Sequence, residues 1–349
     1  MKNIVFLLFA LLVISCDKST EKVFISPDDP AIIYTGRFDL SEKSKPVFMY
    51  SGCSIKTIFT GTSVELLLKD DSLRNFFTVI IDDSLFVLPS DRTDSTYMLA
   101  NNLTDKKHTL EIIRRTEWSG GNTTFLGFKL DHKGRLEKPE LNKYRIEFIG
   151  DSYTCGYGNE GLSQTENFRY ETENNYLSFG AITARSLKAD YLAVCRSGIG
   201  IVQGYGGLRD FNMPGCYDEV INGSSVMWNY LQYQPHLVFI DLITNDLSAP
   251  VDSAEFVDTY LSFLQRIRNN YPEAYIVCAA GPSSPGKKWE TIRSYIRTIT
   301  DKFGKTDQRI NYFEFSPFVP NGSDWHPNVE EHKKMAEELI PFIKNLMHW

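Results

Sequence analysis

The feature that most limits what this chain can fold into is a change of texture near Leu136–Asn142 (LEKPELN), a polar stretch containing Pro139. Upstream, β-branched and aromatic residues gather in short runs, Val64–Leu68, Phe76–Ile81, His108–Arg114 and Thr124–Leu130. Gly61-Thr62, Asp82-Asp83, Asp105-Lys106 and Gly120-Gly121 break them up. Such runs, with turn residues between them and no helical period, predict an antiparallel β-sandwich of roughly 100 residues. Downstream, apolar runs recur at Ile146–Ile149, Tyr191–Cys195, Leu237–Leu242, Ala274–Ala280 and Ile310–Phe315. Helical patterns lie between and after them: Tyr176–Lys188, Tyr217–Leu231, Ala254–Asn270, Trp289–Phe303 and Val329–Met347. Strands alternating with helices predict a three-layer α/β domain with a parallel sheet, five-stranded by this reading. In the last helix, Pro327 suits the first turn and Glu330 and Glu331 suit the dipole. Met335, Leu339, Phe342, Ile343 and Leu346 form an apolar core stripe.

The N-terminus reads as a targeting segment. Lys2 supplies a positive charge, and Ile4–Ile14 is apolar but short for a bilayer span. The run ends in Val13-Ile14-Ser15-Cys16, which looks like a bacterial lipobox with cleavage before a lipidated Cys16. The expected organisation is a lipoprotein signal peptide (1–15), a tether (16–29, with polar Thr20–Asp29), a β-sandwich (30–138) and an α/β domain (143–349). That organisation places the mature chain outside the cytoplasm, in the periplasm or at the outer membrane or cell surface, attached to the membrane through Cys16. Five cysteines remain, Cys53, Cys155, Cys195, Cys216 and Cys278. An odd number argues against a complete disulfide framework, and no spacing resembles a zinc site. A net charge of −7 and the lack of a Lys/Arg-rich run argue against nucleic acid as a partner. Aromatic content of 13% suits a carbohydrate-contacting surface and a β-rich core equally.

Open parallel sheets place reactive groups beyond their strand carboxyl ends. The first strand ends in Gly150-Asp151-Ser152, the second in Arg196-Ser197-Gly198-Ile199-Gly200, the third in Thr244-Asn245-Asp246. After the fifth comes Asp324-Trp325-His326-Pro327. Alone, Gly-Asp-Ser also reads as a turn with a capping serine. Ser, Gly, Asn and His at four strand ends match what acyl-ester hydrolysis by a serine needs: a nucleophile, a base and oxyanion donors.

That order resembles the SGNH (GDSL-like) hydrolases, and more closely carbohydrate esterase family 2. Similar stretches are Tyr34–Phe38 (YTGRF), Phe59-Thr60-Gly61-Thr62, His108–Glu117 (HTLEIIRRTE), Ile146–Gly158 and Asp324–Asn328 (DWHPN). The resemblance implies a jelly-roll sandwich followed by a flavodoxin-like SGNH domain. It implies that Ser152 is the nucleophile and His326 the general base and acid. The implied oxyanion hole is the Ser152 amide, the Gly198 amide and the Asn245 side chain, with Gly200 competing for the Gly198 role. Two positions depart from the pattern. Ile243 stands where Gly precedes the Asn, an expected source of a shifted loop or narrowed site. Ser323 stands where the helper Asp precedes the His. The helper is then either Asp324, completing a triad, or a main-chain carbonyl, with that of Trp325 the natural candidate in a Ser-His dyad. The Trp325 ring is read as a wall over the acyl pocket, a sugar platform or core packing. His108, His132, His236, His332 and His348 are read as structural or exposed. The implied activity is removal of O-acetyl groups from plant polysaccharides or oligosaccharides such as xylan or glucomannan, with a 6-O preference and no metal or cofactor. An SGNH lipase or thioesterase, and a carbohydrate-binding lipoprotein without activity, are the alternatives.

Overall fold

The computed structural model describes residues 21–349 apart from residue 92; the signal-peptide and Cys16 expectations lie outside those residues. The first half is a two-sheet sandwich of β1 (Val23–Ile25), β2 (Ile33–Thr35), β3 (Phe38–Asp39), β4 (Val47–Phe48), β5 (Ser54–Gly61), β6 (Val64–Asp70), β7 (Phe76–Ile81), β8 (Ser84–Pro89), β9 (Asp94–Ala100), β10 (Lys106–Arg114), β11 (Thr123–Leu130) and β12 (Arg135–Glu137). One sheet runs β3-β4-β11-β6-β9 with β1 also on β11; the other runs β12-β5-β10-β7-β8 with β2 also on β5. The period-two pattern sets which side is buried. In β6, Val64, Leu66 and Leu68 are buried while Lys69 is exposed. Much of the aromatic content goes into this core: Phe48 meets Phe77 edge-on at 6.3 Å, and Phe125 meets Phe128 at 4.9 Å.

One sequence expectation is corrected here. The stretch read as tether contains β1, whose Val23, Phe24 and Ile25 pair with Leu130, Lys129 and Phe128. Its polar flanks hid a three-residue strand that gains its ladder only from a partner more than a hundred residues away. The last sandwich strand, β12, pairs with β5 and ends at Glu137, just inside the expected limit of 138.

The second half is a parallel sheet of β13 (Tyr144–Gly150), β14 (Ala189–Cys195), β15 (Leu237–Asp241), β16 (Tyr275–Ala280) and β17 (Ile310–Glu314), in the order β14-β13-β15-β16-β17. Helices are α1 (Ser152–Cys155), α2 (Phe179–Ser186), α3 (Met213–Cys216), α4 (Ser253–Asn270), α5 (Lys287–Phe303) and α6 (Val329–Met347). Phe148, Phe179, Met335 and Leu339 cluster on one face of the sheet. Ile149, Phe263, Ile267 and Ile296 belong to the core on the other. Burial on both faces explains the continuous apolar runs. In α6 the Asn328 side chain caps the Glu331 amide while Glu331 reaches back to the Asn328 amide. The helix therefore starts at Val329, and Pro327 precedes the cap instead of sitting in the first turn.

The helix expected over Tyr217–Leu231 does not form. Glu219 and Met227 bridge as antiparallel partners, and Gly223 between them has φ +71°. The carbonyls of Tyr217 and Glu219, which a helix would use internally, accept from the buried Arg37 guanidinium instead. Arg37 comes from the sandwich and also pairs at 3.3 Å with Glu147 of β13, both side chains fully buried. A buried charge must be compensated, so this contact outweighs local helical preference. Arg115 of the sandwich pairs with Glu160, and Arg196 reaches the Tyr50 hydroxyl at 3.2 Å. The sandwich is thus docked on the parallel sheet through buried polar contacts.

Candidate active site

The strand order reverses direction around β13, and the site lies beyond its carboxyl end. Gly150 closes β13. Its role is close approach, since a Cβ there would lie 2.0 Å from Thr154 Oγ1 and 3.2 Å from the Asp241 carbonyl. Asp151 caps the one-turn helix α1 by accepting from the Tyr153 amide at 3.1 Å. Ser152 is the first residue of that turn, and Gly156 at φ +82° ends it.

Ser152 Oγ lies 2.9 Å from His326 Nε2. His326 Nδ1 lies 2.9 Å from the carbonyl of Asp324 and 3.2 Å from that of Ser323. A carbonyl can only accept, so Nδ1 carries the proton and Nε2 is left to accept from Ser152. Burial is the main influence on the ring and holds its pKa below the ordinary histidine value of 6.5, while the two carbonyls pull the other way. The imidazole is therefore neutral at pH 7, as a base must be. Tyr157 lies against it at 4.3 Å and Tyr153 edge-on at 5.6 Å.

The carbonyl that orients the ring is that of Asp324, not Trp325. Asp324 (φ +49°) and Trp325 (φ +60°) both sit in the left-handed region, which turns the two preceding carbonyls back onto the ring that follows. Such residues cost of order 1–3 kcal/mol each and cluster at active sites. The Asp324 carboxylate faces elsewhere: it accepts from the Phe168 amide at 2.9 Å and the Tyr157 hydroxyl at 3.1 Å. At the usual helper position, Ser323 is fully buried against Gly158 and Gly161, where a Cβ would come within 2.5 and 2.0 Å of its side chain. A larger acidic side chain has no room there.

Of the oxyanion candidates, Ser152 and Asn245 line the same cleft. Among the described residues, neither the Ser152 nor the Gly198 amide donates to a protein acceptor. Gly198 adopts φ +80° beside Phe211 and Tyr205. Gly200 is packed tightly: a Cβ on it would lie 2.5 Å from Asp246, whose carboxylate gathers the amides of Ile201, Val202 and Gln203. The Asn245 amide nitrogen contacts Asp151 Oδ2 at 3.1 Å and the Ile199 carbonyl at 2.9 Å. Asn245 therefore reaches an oxyanion only by releasing or sharing one of these bonds. Burial pushes the Asp151 carboxyl up to about 7. Ile243 neither narrows the cleft nor faces it. Its side chain is 1% exposed in the core, and its backbone bears the departure from glycine with φ +156°.

Ser152, Asn245, Trp325 and His326 line a cleft of about 630 Å³ together with the loop from Pro282 to Lys288. Trp325 is 56% exposed, so it forms a wall of the cleft and is not core packing. A separate hollow of about 240 Å³ between the sandwich and α2 contains none of these residues. The histidines set aside are structural where bonded: His108 bonds Asp82 and the Thr104 carbonyl, His236 accepts from the Arg145 amide, and His332 from that of Phe179. The five cysteines are free and buried. Tyr153 and Tyr157 escaped sequence reasoning because an aromatic after a motif serine carries no signal until the imidazole is seen against it.

Residues 34–139 match the family described as carbohydrate esterase 2 N-terminal, and residues 146–339 match GDSL-like lipase/acylhydrolase. A solved family two carbohydrate esterase from Clostridium thermocellum, in complex with cellohexaose, superposes with a TM-score of 0.86 at 36% identity, covering 91% of this chain and 99% of that one. The chain belongs to carbohydrate esterase family 2. The cellulase/esterase CelE of Acetivibrio thermocellus is 37% identical over 92% of this chain, which spans only 40% of CelE's length. An acetylxylan esterase/glucomannan deacetylase of Cellvibrio japonicus is 29% identical, covering 93% of this chain and 91% of that protein. Family membership makes the chain a carboxylic-ester hydrolase, the class that four converging strand ends imply.

Proposed function

We propose that the chain removes O-acetyl groups from acetylated plant polysaccharides or oligosaccharides, such as xylan or glucomannan, through an acyl-enzyme on Ser152. The observation that carries this reading is the Ser152–His326 contact of 2.9 Å, with Nδ1 held by a main-chain carbonyl. His326 Nε2 takes the Ser152 proton as Oγ attacks the acetyl carbonyl carbon. The oxyanion that forms faces the Ser152 and Gly198 amides and the Asn245 side chain, each such donor contributing about 2.7–4 kcal/mol to the transition state. His326 then gives its proton to the leaving sugar oxygen, and a water repeats the sequence to release acetate. Among the described residues no carboxylate hydrogen-bonds the imidazole. The Asp324 and Ser323 carbonyls stabilise the imidazolium directly, and the Asp324 carboxylate adds a smaller attraction through space.

The cleft wall mixes Thr244, Ser248, Ser283 and Ser284 with Tyr205 and Trp325, hydroxyls and aromatic rings of the kind that contact a sugar, which supports an acetyl esterase over a lipase or thioesterase. The name of the Cellvibrio relative supports xylan and glucomannan. Acetate release from defined mono-acetylated sugars, with Ser152→Ala as control, tests the reading and its 6-O preference. Sugar binding without acetate release from any acetyl ester would overturn it. We also propose that Cys16 is lipidated and anchors the chain outside the cytoplasm. Cys16→Ser is expected to move the protein from the membrane fraction to the soluble extracytoplasmic one.

A further inference from the structure

Behind the oxyanion loop lies a buried acidic pair that the chemistry above does not use. Glu117 belongs to the sandwich, just after β10, and is 3% exposed; Glu173 precedes α2 and is fully buried. Ligand atoms of Glu117, Glu173 and Cys155 lie within 4.8 Å of one another. Glu117 Oε2 accepts from the Ser197 amide at 2.6 Å and from Cys155 Sγ at 3.4 Å. Ser197 immediately precedes Gly198, and Cys155 ends the one-turn helix that Ser152 begins. One carboxylate oxygen from the other domain therefore ties together the two segments that carry the main-chain oxyanion donors.

We propose that Glu117 is a positioning residue for the oxyanion hole: by fixing the Ser197 amide it aims the next amide, that of Gly198, into the cleft. This rests on the reading of Gly198 as an oxyanion donor. The bond is short, as expected for an ionised acceptor, and orienting an amide before reaction is what makes an oxyanion donor effective. The partner carboxyl completes the arrangement. Glu173 Oε2 accepts from the Glu117 amide at 3.2 Å, while Oε1 is buried without a hydrogen-bond partner. Burial raises both carboxyls, and Glu117 adds to the rise of Glu173 against the pull of the buried Arg114 guanidinium. The two donors that converge on Glu117 Oε2, the Ser197 amide and the Cys155 thiol, place the charge on Glu117 and the proton on Glu173. The sandwich in this view supplies part of the hydrolase site.

The test is kinetics on p-nitrophenyl acetate together with inhibition by phenylboronic acid, which adds to a serine and places a charged oxygen in the oxyanion hole. Glu117→Gln is expected to lower kcat about 10–100-fold with KM within about twofold, and to weaken boronate inhibition by the same factor. Glu173→Gln, isosteric with the protonated acid, is expected to keep kcat within about threefold. An unchanged kcat in Glu117→Gln overturns the proposal, as does a fall in kcat and melting temperature with boronate affinity intact. Should Glu117→Gln fail to fold, a loss of kcat above about tenfold in Glu173→Gln overturns it independently, since that loss would put the charge on Glu173. Ser152→Ala separates the levels. If it retains activity, the serine-esterase reading fails; if it is inactive while Glu117→Gln is unaffected, only the positioning role fails.

Discussion

Asp324→Asn is the sharpest test of how the histidine is held. The substitution keeps the Asp324 main-chain carbonyl, 2.9 Å from His326 Nδ1, and removes only the carboxylate charge. The backbone at φ +49° is one that asparagine tolerates better than most residues. The two contacts of the carboxylate, to the Phe168 amide and the Tyr157 hydroxyl, become neutral hydrogen bonds. A charged hydrogen bond contributes about 1.5–3 kcal/mol and a neutral one about 0.5–1.5, so the two together weaken by about 2–3 kcal/mol at this turn. If all of it reached the transition state, kcat/KM would fall about 30–160-fold, at 1.36 kcal/mol per tenfold. Where a carboxylate holds the imidazole directly, the same change costs about 10⁴-fold. The assay is kcat/KM on p-nitrophenyl acetate near pH 7.5 beside the melting temperature. A loss of about 10³-fold or more with an unchanged melting temperature would refute the carbonyl-held dyad.

Asn245→Ala is expected to lower kcat about 10²–10³-fold with little change in KM, the cost of one oxyanion donor, measured by the same assay. The acid limb of kcat/KM should fall below pH 6.5, because burial depresses the His326 pKa and only the neutral ring can accept the Ser152 proton. By linkage, the stability that His326 contributes is present above pH 6.5 and lost as pH falls through its folded value; an acid limb centred above pH 7 would contradict this. Arg37→Ala leaves Glu147 a buried charge without its partner and frees the Tyr217 and Glu219 carbonyls. A loss of about 3–5 kcal/mol in urea unfolding is expected, and a loss under about 1 kcal/mol would show that the domain contact is not the buried ion pair described.

Much of this protein was legible because its signals are local. Five apolar runs fell on the five parallel strands, since burial on both faces keeps polar residues few, and the exception, Glu147 in β13, is paired with Arg37. Strand ends are where an open sheet places chemistry, so Ser152, Gly198, Asn245 and His326 could be marked in advance. What failed was what depends on distant partners. The short β1 was hidden until β11 lay beside it. The helical pattern of Tyr217–Leu231 yielded to a guanidinium about 180 residues earlier in the chain. Glu117 sat within a stretch similar to the family but pointed to nothing, because its partners, Ser197 and Cys155, lie in another domain.

The sequence by itself determined the β-sandwich followed by a parallel-sheet domain, because period follows from local burial, and it named Ser152 and His326 as the candidate reacting side chains. Only the tertiary structure decided which oxygen holds the histidine, where the Asp324 carboxylate goes and what Asn245 touches. Each of those turns on a backbone direction or an ångström-scale approach: two left-handed residues aiming a carbonyl, a carboxylate taken by the Phe168 amide, an amide already engaged by Asp151. Hydrogen bonds fall off over fractions of an ångström and tens of degrees, and linear spacing does not carry that information.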